Sequence, residues 1–345
     1  MSTLQNVEQH KRMPNNRLYY LALLSILTLM LVSSDCLAGK KREWQAEDSF
    51  KMKYIGELSV SPDDELLLFR VSTADLKENR YYSSIWVVPT KGGEPTPLTD
   101  IKGSVSSPRW SPDGSMIAFF SSDEDGLGLW AMNKDASGKR KLTALERSNV
   151  YLGWGDNVGN DLTWSPDGRK LAYTAAGPRH YSNDPSPQNP PNGNDVMVVD
   201  RLLFKGIYYY SDLRRTYVWV ISVDGGVPEQ ISFGEYDYHS ISWSPDGKRI
   251  ASVSNRTGKD DFNANTDICL LSPIGEDLIQ LTQTVGPEYQ PIWSPDGSWI
   301  AYLGRMRDHR SKESDAELKK VFVIPVGSGS PVDLTARLDR WSYPP

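Results

Sequence analysis

Five near-copies of one six-residue phrase constrain this chain more than any other feature. Four are close: Arg109-Trp110-Ser111-Pro112-Asp113-Gly114, Thr163-Trp164-Ser165-Pro166-Asp167-Gly168, Ser242-Trp243-Ser244-Pro245-Asp246-Gly247 and Ile292-Trp293-Ser294-Pro295-Asp296-Gly297. A fifth, Ser59-Val60-Ser61-Pro62-Asp63-Asp64, precedes them with Val in place of Trp and Asp in place of Gly. The steps between successive Ser-Pro pairs are 50, 54, 79 and 50 residues. Repetition at this period means stacked supersecondary units rather than one irregular core.

The phrase itself is a tight corner. Pro presets φ at the first central position, Asp tolerates the second, and Gly takes the left-handed conformation that follows. A Trp stands before each full corner, and an apolar run follows, such as Met116-Ile117-Ala118-Phe119-Phe120 or Trp299-Ile300-Ala301-Tyr302. Runs this short, rich in branched and aromatic residues and bounded by turns, predict strands. Later in the period Ile85-Trp86-Val87-Val88 and Val218-Trp219-Val220-Ile221 predict a third strand. The Gly-Gly of Lys91-Gly92-Gly93 and of Asp224-Gly225-Gly226 then predicts a short hairpin into a fourth. Gly138 reads as part of a looser loop. The expected fold is therefore all-β, a β-propeller of four-stranded blades with about five repeats and the start of another at Asp339–Pro345. Whether the ring is complete stays open.

Residues 1–38 stand apart from the repeats. Lys11, Arg12 and Arg17 precede an apolar run from Leu18 to Val32, and small residues before Gly39 offer a cleavage site, the layout of a secretory signal peptide. The run is short for a membrane span, which needs about 20 residues. The expectation is export to the periplasm or beyond, with anchoring by residues 18–32 as the alternative and the only contact with a membrane. Residues 39–345 form the propeller domain.

A net charge of −6 without a basic stripe argues against nucleic acid as a partner. Beyond the leader one cysteine remains, Cys269, read as a buried thiol. His180, His239 and His309 lie at no metal-ligand spacing and read as surface or loop residues, so neither metal nor cofactor is expected. Asp123-Glu124-Asp125-Gly126 and Lys259-Asp260-Asp261 lack the ligand schedule of a calcium loop and read as solvated turns. Asn255-Arg256-Thr257 fits the short glycosylation pattern.

The corner serines recur in every repeat and read as structural, with no catalytic residue expected. Trp110, Trp164, Trp243 and Trp293, with Pro112, Pro166, Pro245, Pro295 and Gly114, Gly168, Gly247, Gly297, are assigned to repeat architecture. The 79-residue step holds the most individual sequence. Five prolines between 177 and 195 predict an extended loop. The crowd of Tyr and Arg that follows makes Arg201, Tyr209, Asp212, Arg214 and Arg215 candidates for contact with a substrate or partner.

These repeats resemble two families of propeller. The Trp-Ser-Pro-Asp-Gly unit followed by Ile-Ala-Tyr is similar to the repeat of the translocation protein TolB and of the N-terminal propeller of prolyl-oligopeptidase-class serine peptidases. Glu47-Asp48-Ser49-Phe50 through Asp63, and Asp200 to Gly206 with Asp212 to Val220, are similar to segments of the acylaminoacyl-peptidase-like members. The resemblance covers roughly residues 44–345. It implies a propeller that covers a hydrolase pocket and admits short peptides. The Gly-x-Ser-x-Gly elbow of such peptidases does not occur; Gly327-Ser328-Gly329-Ser330 has the wrong spacing. The chain alone is then expected to be inactive, with a hydrolase domain or peptide as its partner. The TolB resemblance implies instead an interaction module for another envelope protein.

Overall fold

The computed structural model describes residues 43–123, 126–145, 161–177, 214–260, 262–305, 319–327 and 329–338. Their strands make five four-stranded antiparallel sheets, each a meander in chain order. Blade 1 holds Tyr54–Val60, Leu66–Asp75, Arg80–Pro89 and Thr96–Pro97 (β1–β4). Blade 2 holds Val105–Trp110, Met116–Asp123, Gly126–Asn133 and Arg140–Ala144 (β5–β8). Blade 3 holds Leu162–Trp164, Lys170–Ala176, Thr216–Ser222 and Glu229–Gln230 (β9–β12). Blade 4 holds Tyr238–Trp243, Ile250–Ser254, Asp267–Leu271 and Leu278–Gln280 (β13–β16). Blade 5 holds Glu288–Trp293, Trp299–Gly304, Lys320–Pro325 and Val332–Asp333 (β17–β20). The sheets stack in sequence as the blades of a propeller and are not closed into a ring. The leader, Asp339–Pro345, His180, His309 and Glu124, Asp125 and Asp261 lie outside the described residues.

Each corner joins the first strand of a blade to the second. Gly114, Gly168, Gly247 and Gly297 have φ between 69° and 73°, the left-handed region a Cβ disfavours. In the degenerate corner Asp64 takes the same conformation, φ 59°. The serine hydroxyl locks the turn from inside: in blade 2 Ser111 Oγ donates to Asp113 Oδ1 at 2.6 Å and accepts the amide of Met116 at 2.9 Å. The other four corners repeat both bonds.

The core is divided among the blade junctions rather than gathered in one centre. Leu68 and Ile85 of blade 1 meet Trp110, Ile117 and Phe119 of blade 2, and Ala118, Phe120 and Leu129 meet Trp164, Leu171 and Tyr173 of blade 3. Val218 and Val220 then meet Tyr238, Trp243 and Ile250, and Ile268 and Leu270 meet Ile300, Tyr302 and Phe322. Side chains on a strand alternate between faces, so each blade has a leading face toward its predecessor and a trailing face toward its successor.

Two devices register these junctions. Trp110 Nε1 donates to the carbonyl of Ser59 at 3.2 Å, Trp164 to Arg109 at 3.1 Å and Trp293 to Ser242 at 3.0 Å. The Trp243 indole N–H is buried without a partner among the described residues. The corners also stack. A Cβ on Gly114 would meet Pro62 at 3.2 Å, and one on Gly168, Gly247 or Gly297 would meet Pro112, Pro166 or Pro245 at 3.7–3.8 Å.

Four first strands carry a bulge, with Glu57, Ser107, Ser240 and Gln290 at φ between 50° and 56°. A bulge frees backbone groups from the ladder. Glu57 Oε2 accepts the amide of Ser107 at 2.8 Å, and Asp161 accepts that of Ser240, so carboxylates of blades 1 and 3 hold the bulges of blades 2 and 4.

Three expectations change. Gly138, expected in a loose loop, sits in a left-handed turn at φ 62°, where a Cβ would meet the Asn133 side chain at 3.0 Å. The Gly-Gly hairpins are longer than two residues: β3 ends at Pro89 and β4 begins at Thr96, because Gly92 N closes a turn onto Pro89 O before the chain runs on. His239, expected at the surface, is buried in β13.

Candidate functional site

A meander sends its connections alternately to two ends. The corners and the turns from third to fourth strand lie at one end, hereafter the corner end. The connections from second to third strand, and from each blade to the next, lie at the other, the loop end. The long stretch 178–213, with the contact candidates Arg201, Tyr209 and Asp212, lies outside the described residues, but Gly177 and Arg214 on either side of it fall at the loop end.

The corner end offers little chemistry. All five corner serines spend their hydroxyls on Asp and backbone; the serine hydroxyl and a backbone amide hold Asp113 and Asp167 below the usual carboxylate range, and the Lys248 amide with the Ser244 hydroxyl does so for Asp246. With their pKa values lowered, these carboxylates are weak bases for activating the serines.

The loop end is different. Leu76, Tyr81, Ile101, Phe233, Phe262 and Val285 all lie on its connections or strand starts, and all are more than half exposed. The corner-end turns expose Val227 and Ile274. It is exposed apolar residues forming a contiguous patch that mark contact surfaces; the first six share one end of the stack. Cations lie over aromatic rings here as well: Arg80 over Tyr82 at 4.8 Å, Arg256 over Tyr236 at 4.2 Å and Lys319 over Tyr289 at 4.7 Å.

Arg215 anchors this end between blades 3 and 4. Its Nη1 lies 2.9 Å from Asp237 Oδ2 and 2.5 Å from Asp260 Oδ2, with Glu235 at 4.0 Å from Nε. Burial works against the guanidinium's charge, and the two carboxylates more than offset it, raising its pKa above the ordinary value. Asp237 also accepts the Thr216 amide at 2.8 Å. Asp260, expected in a solvated turn, is instead drawn in by Arg215. The Arg215 fork is committed to this junction, and Arg214 lies half-buried beside it. Asn255, the residue of the glycosylation pattern, donates its amide to the Asn263 carbonyl at 3.1 Å and Oδ1 at 3.0 Å.

A second buried cluster joins blades 4 and 5. Glu288, 1% exposed, accepts from the Ile268 amide at 3.1 Å, from the Thr282 hydroxyl and from the Thr284 hydroxyl at 3.0 Å. Asp267 accepts from the Thr284 amide and the Gln280 side chain at 3.0 and 2.9 Å. Burial pushes Glu288 up to about 7 and raises Asp267 as well. Burial likewise lifts Asp161 to about 6, lowers His239 to about 3 and pushes the Cys269 thiol up to about 12. A thiol in that state is a poor nucleophile. Among the described residues no group of three His, Cys, Asp or Glu is arranged to hold a metal ion, and no helix is long and apolar enough to cross a membrane. Arg215 stood out in the sequence as a contact candidate without the carboxylates it meets, and nothing there pointed to Glu288, because the members of both clusters come from separate connections.

Residues 61–180 match the family described as the dipeptidyl peptidase IV N-terminal region. Dipeptidyl-peptidase 5 of Porphyromonas endodontalis is 26% identical over 79% of this chain and 39% of its own length. The chain resembles the propeller region of these serine peptidases. It spans less than half the length of the curated peptidases it matches. Among solved structures, an acylaminoacyl peptidase from Pyrococcus horikoshii shares the fold with TM-score 0.62 and 19% identity, over 87% of this chain and 42% of that one. A putative TolB from Agrobacterium tumefaciens shares it with TM-score 0.52 and 17% identity, over 81% and 80%.

Proposed function

We propose that this chain is the exported, non-catalytic propeller of a prolyl-oligopeptidase-class serine peptidase, controlling which short peptides reach a hydrolase pocket. The observation that carries the reading is the match of residues 61–180 to a region described as the N-terminal part of a peptidase. Two structural facts agree with it. The recurring serines are locked in corners, which agrees with nucleophilic catalysis being supplied by another domain or chain. The exposed apolar residues and the bracket of the 178–213 insertion share the loop end, which is where a hydrolase domain or peptide would be met. The leader-like residues 1–38 support export.

The test is labelling by a fluorophosphonate serine-hydrolase probe in envelope extracts and on the purified chain. The expected result is no label on the chain and a labelled protein that co-purifies with it. Stoichiometric labelling of any serine in the chain contradicts the reading. The mutual coverage with the TolB structure, about four-fifths of each chain, favours one second reading, an envelope interaction module. Recovery of an unlabelled envelope protein in place of a hydrolase would move the weight there.

A further inference from the structure

We propose that Arg256, at the loop end of the seam between blades 3 and 4, anchors a binding site for a single carboxylate carried by a peptide. The inference rests on the peptidase reading only in taking a peptide as the carrier; the site is argued from the setting of one guanidinium.

Three other half-buried arginines each lean on a carboxylate. Arg70 lies 3.2 Å from Glu57, Arg249 2.6 Å from Asp277, and Arg215 2.9 and 2.5 Å from Asp237 and Asp260. Arg256 is half-buried as well, yet no carboxylate is paired with it among the described residues. A charge drawn partly out of water without a counter-charge carries a cost that an anion from outside would relieve.

The guanidinium is nevertheless held in place. Its Nη1 donates to Tyr238 Oη at 2.8 Å, and that hydroxyl, on a side chain buried in β13, donates onward to the Phe233 carbonyl at 3.0 Å. Its central carbon lies 4.2 Å from the centre of the Tyr236 ring. The ring rests against Gly234, at φ 91°, where a Cβ would meet it at 3.1 Å. Ring and hydroxyl thus fix one face and one nitrogen of the fork, and its other N–H groups make no bond among the described residues. A planar fork already immobilised loses little freedom on binding and takes a carboxylate through two parallel bonds.

The neighbours select among anions. Glu235, Asp237 and Asp260 all surround Arg215 at the same seam. Three carboxylates around one guanidinium leave surplus negative charge near Arg256, which disfavours a phosphate or other dianion more than a singly charged carboxylate. Phe233 and Phe262, on the two segments that carry Tyr236 and Arg256, are 56% and 64% exposed. The chemistry fits a carboxylate on or beside an apolar residue, whether a free C-terminus or an acidic side chain.

The experiment titrates the purified chain with three peptides: N-acetyl-Ala-Phe as the free acid, the same peptide as its C-terminal amide, and N-acetyl-Glu-Phe amide. Calorimetry reads the Kd, and nuclear magnetic resonance of arginine-labelled protein reads the Arg256 Nε–H signal. At least one carboxylate peptide should bind about tenfold or more tightly than the Ala-Phe amide and shift that signal. Binding of the acid alone assigns the carboxylate to a chain terminus, and binding of the Glu peptide assigns it to a side chain; both support the site. Arg256→Lys, which keeps the charge and loses the fork, should weaken binding about tenfold, Tyr236→Leu should weaken it several-fold, and inorganic phosphate should not compete. Equal binding of all three peptides, binding of none, competition by phosphate, or undiminished binding by Arg256→Lys overturns the proposal. No hydrolase is needed for these readings, so their failure leaves the fluorophosphonate outcome untouched, and a failure there leaves these readings standing.

Discussion

At the scale of single residues, the corner is a closed unit whose parts do separate jobs. Gly168→Val and Gly247→Val should each destabilise by about 1–3 kcal/mol, because a β-branched residue is forced to positive φ. Gly138→Val should lose a similar amount, since its φ is 62° and Asn133 crowds the site. Asp64→Gly should instead gain up to about 1 kcal/mol by relieving a left-handed Asp. Thermal melts of the four variants check the set; a Gly138 loss far below the others would contradict the turn geometry. The junction tryptophans divide as well. Trp164→Phe loses a bond to the Arg109 carbonyl and should cost about 1 kcal/mol more than Trp243→Phe, whose N–H has no partner to lose. The corners were legible in sequence because every constraint lies within six neighbouring residues. His239 was not: the bulge between His239 and Ser242 breaks the alternation by which a reader assigns faces.

At the scale of elements, the blades were readable and the seams between them were not. Strand runs and turn signals are local, whereas Arg215 finds Asp237 and Asp260 across 22 and 45 residues, brought together only when blades 3 and 4 stack. Arg215→Met should destabilise by about 2–4 kcal/mol, because it strands two carboxylates at a largely buried seam; a change within error would show that solvent already satisfies them. The Glu288 seam should respond to pH. Burial raises that carboxyl from 4.5 to about 7. A group whose folded pKa lies above its unfolded value contributes stability at low pH and loses it as pH climbs through the folded value. Stability should therefore fall between about pH 4.5 and 7, by something on the order of 3 kcal/mol from this group. Urea midpoints at pH 5 and pH 8 should differ less in Glu288→Gln than in the parent. Asp161, raised to about 6, leaves part of the slope in place. An equal drop in both proteins would contradict the assignment.

At the scale of the whole molecule, a repeated corner builds a stack of like blades and at the same time divides it into two unlike ends. The corner serines and aspartates are consumed by their own hydrogen bonds, while the loop end collects the long insertion, most of the exposed apolar side chains and the clusters at the seams. The repeat period showed the architecture, but which end holds the connections between blades follows only from the direction in which each meander runs. The most direct measurement is site-directed photocrosslinking from both ends, with the crosslinker at Phe262 or Phe233 on the loop end and at Val227 on the corner end. The account predicts that the loop-end positions capture a fluorophosphonate-reactive hydrolase, in cis or in trans, and that Val227 does not. Capture from Val227 with silence at Phe262 and Phe233, or capture only of proteins without serine-hydrolase reactivity, would contradict it.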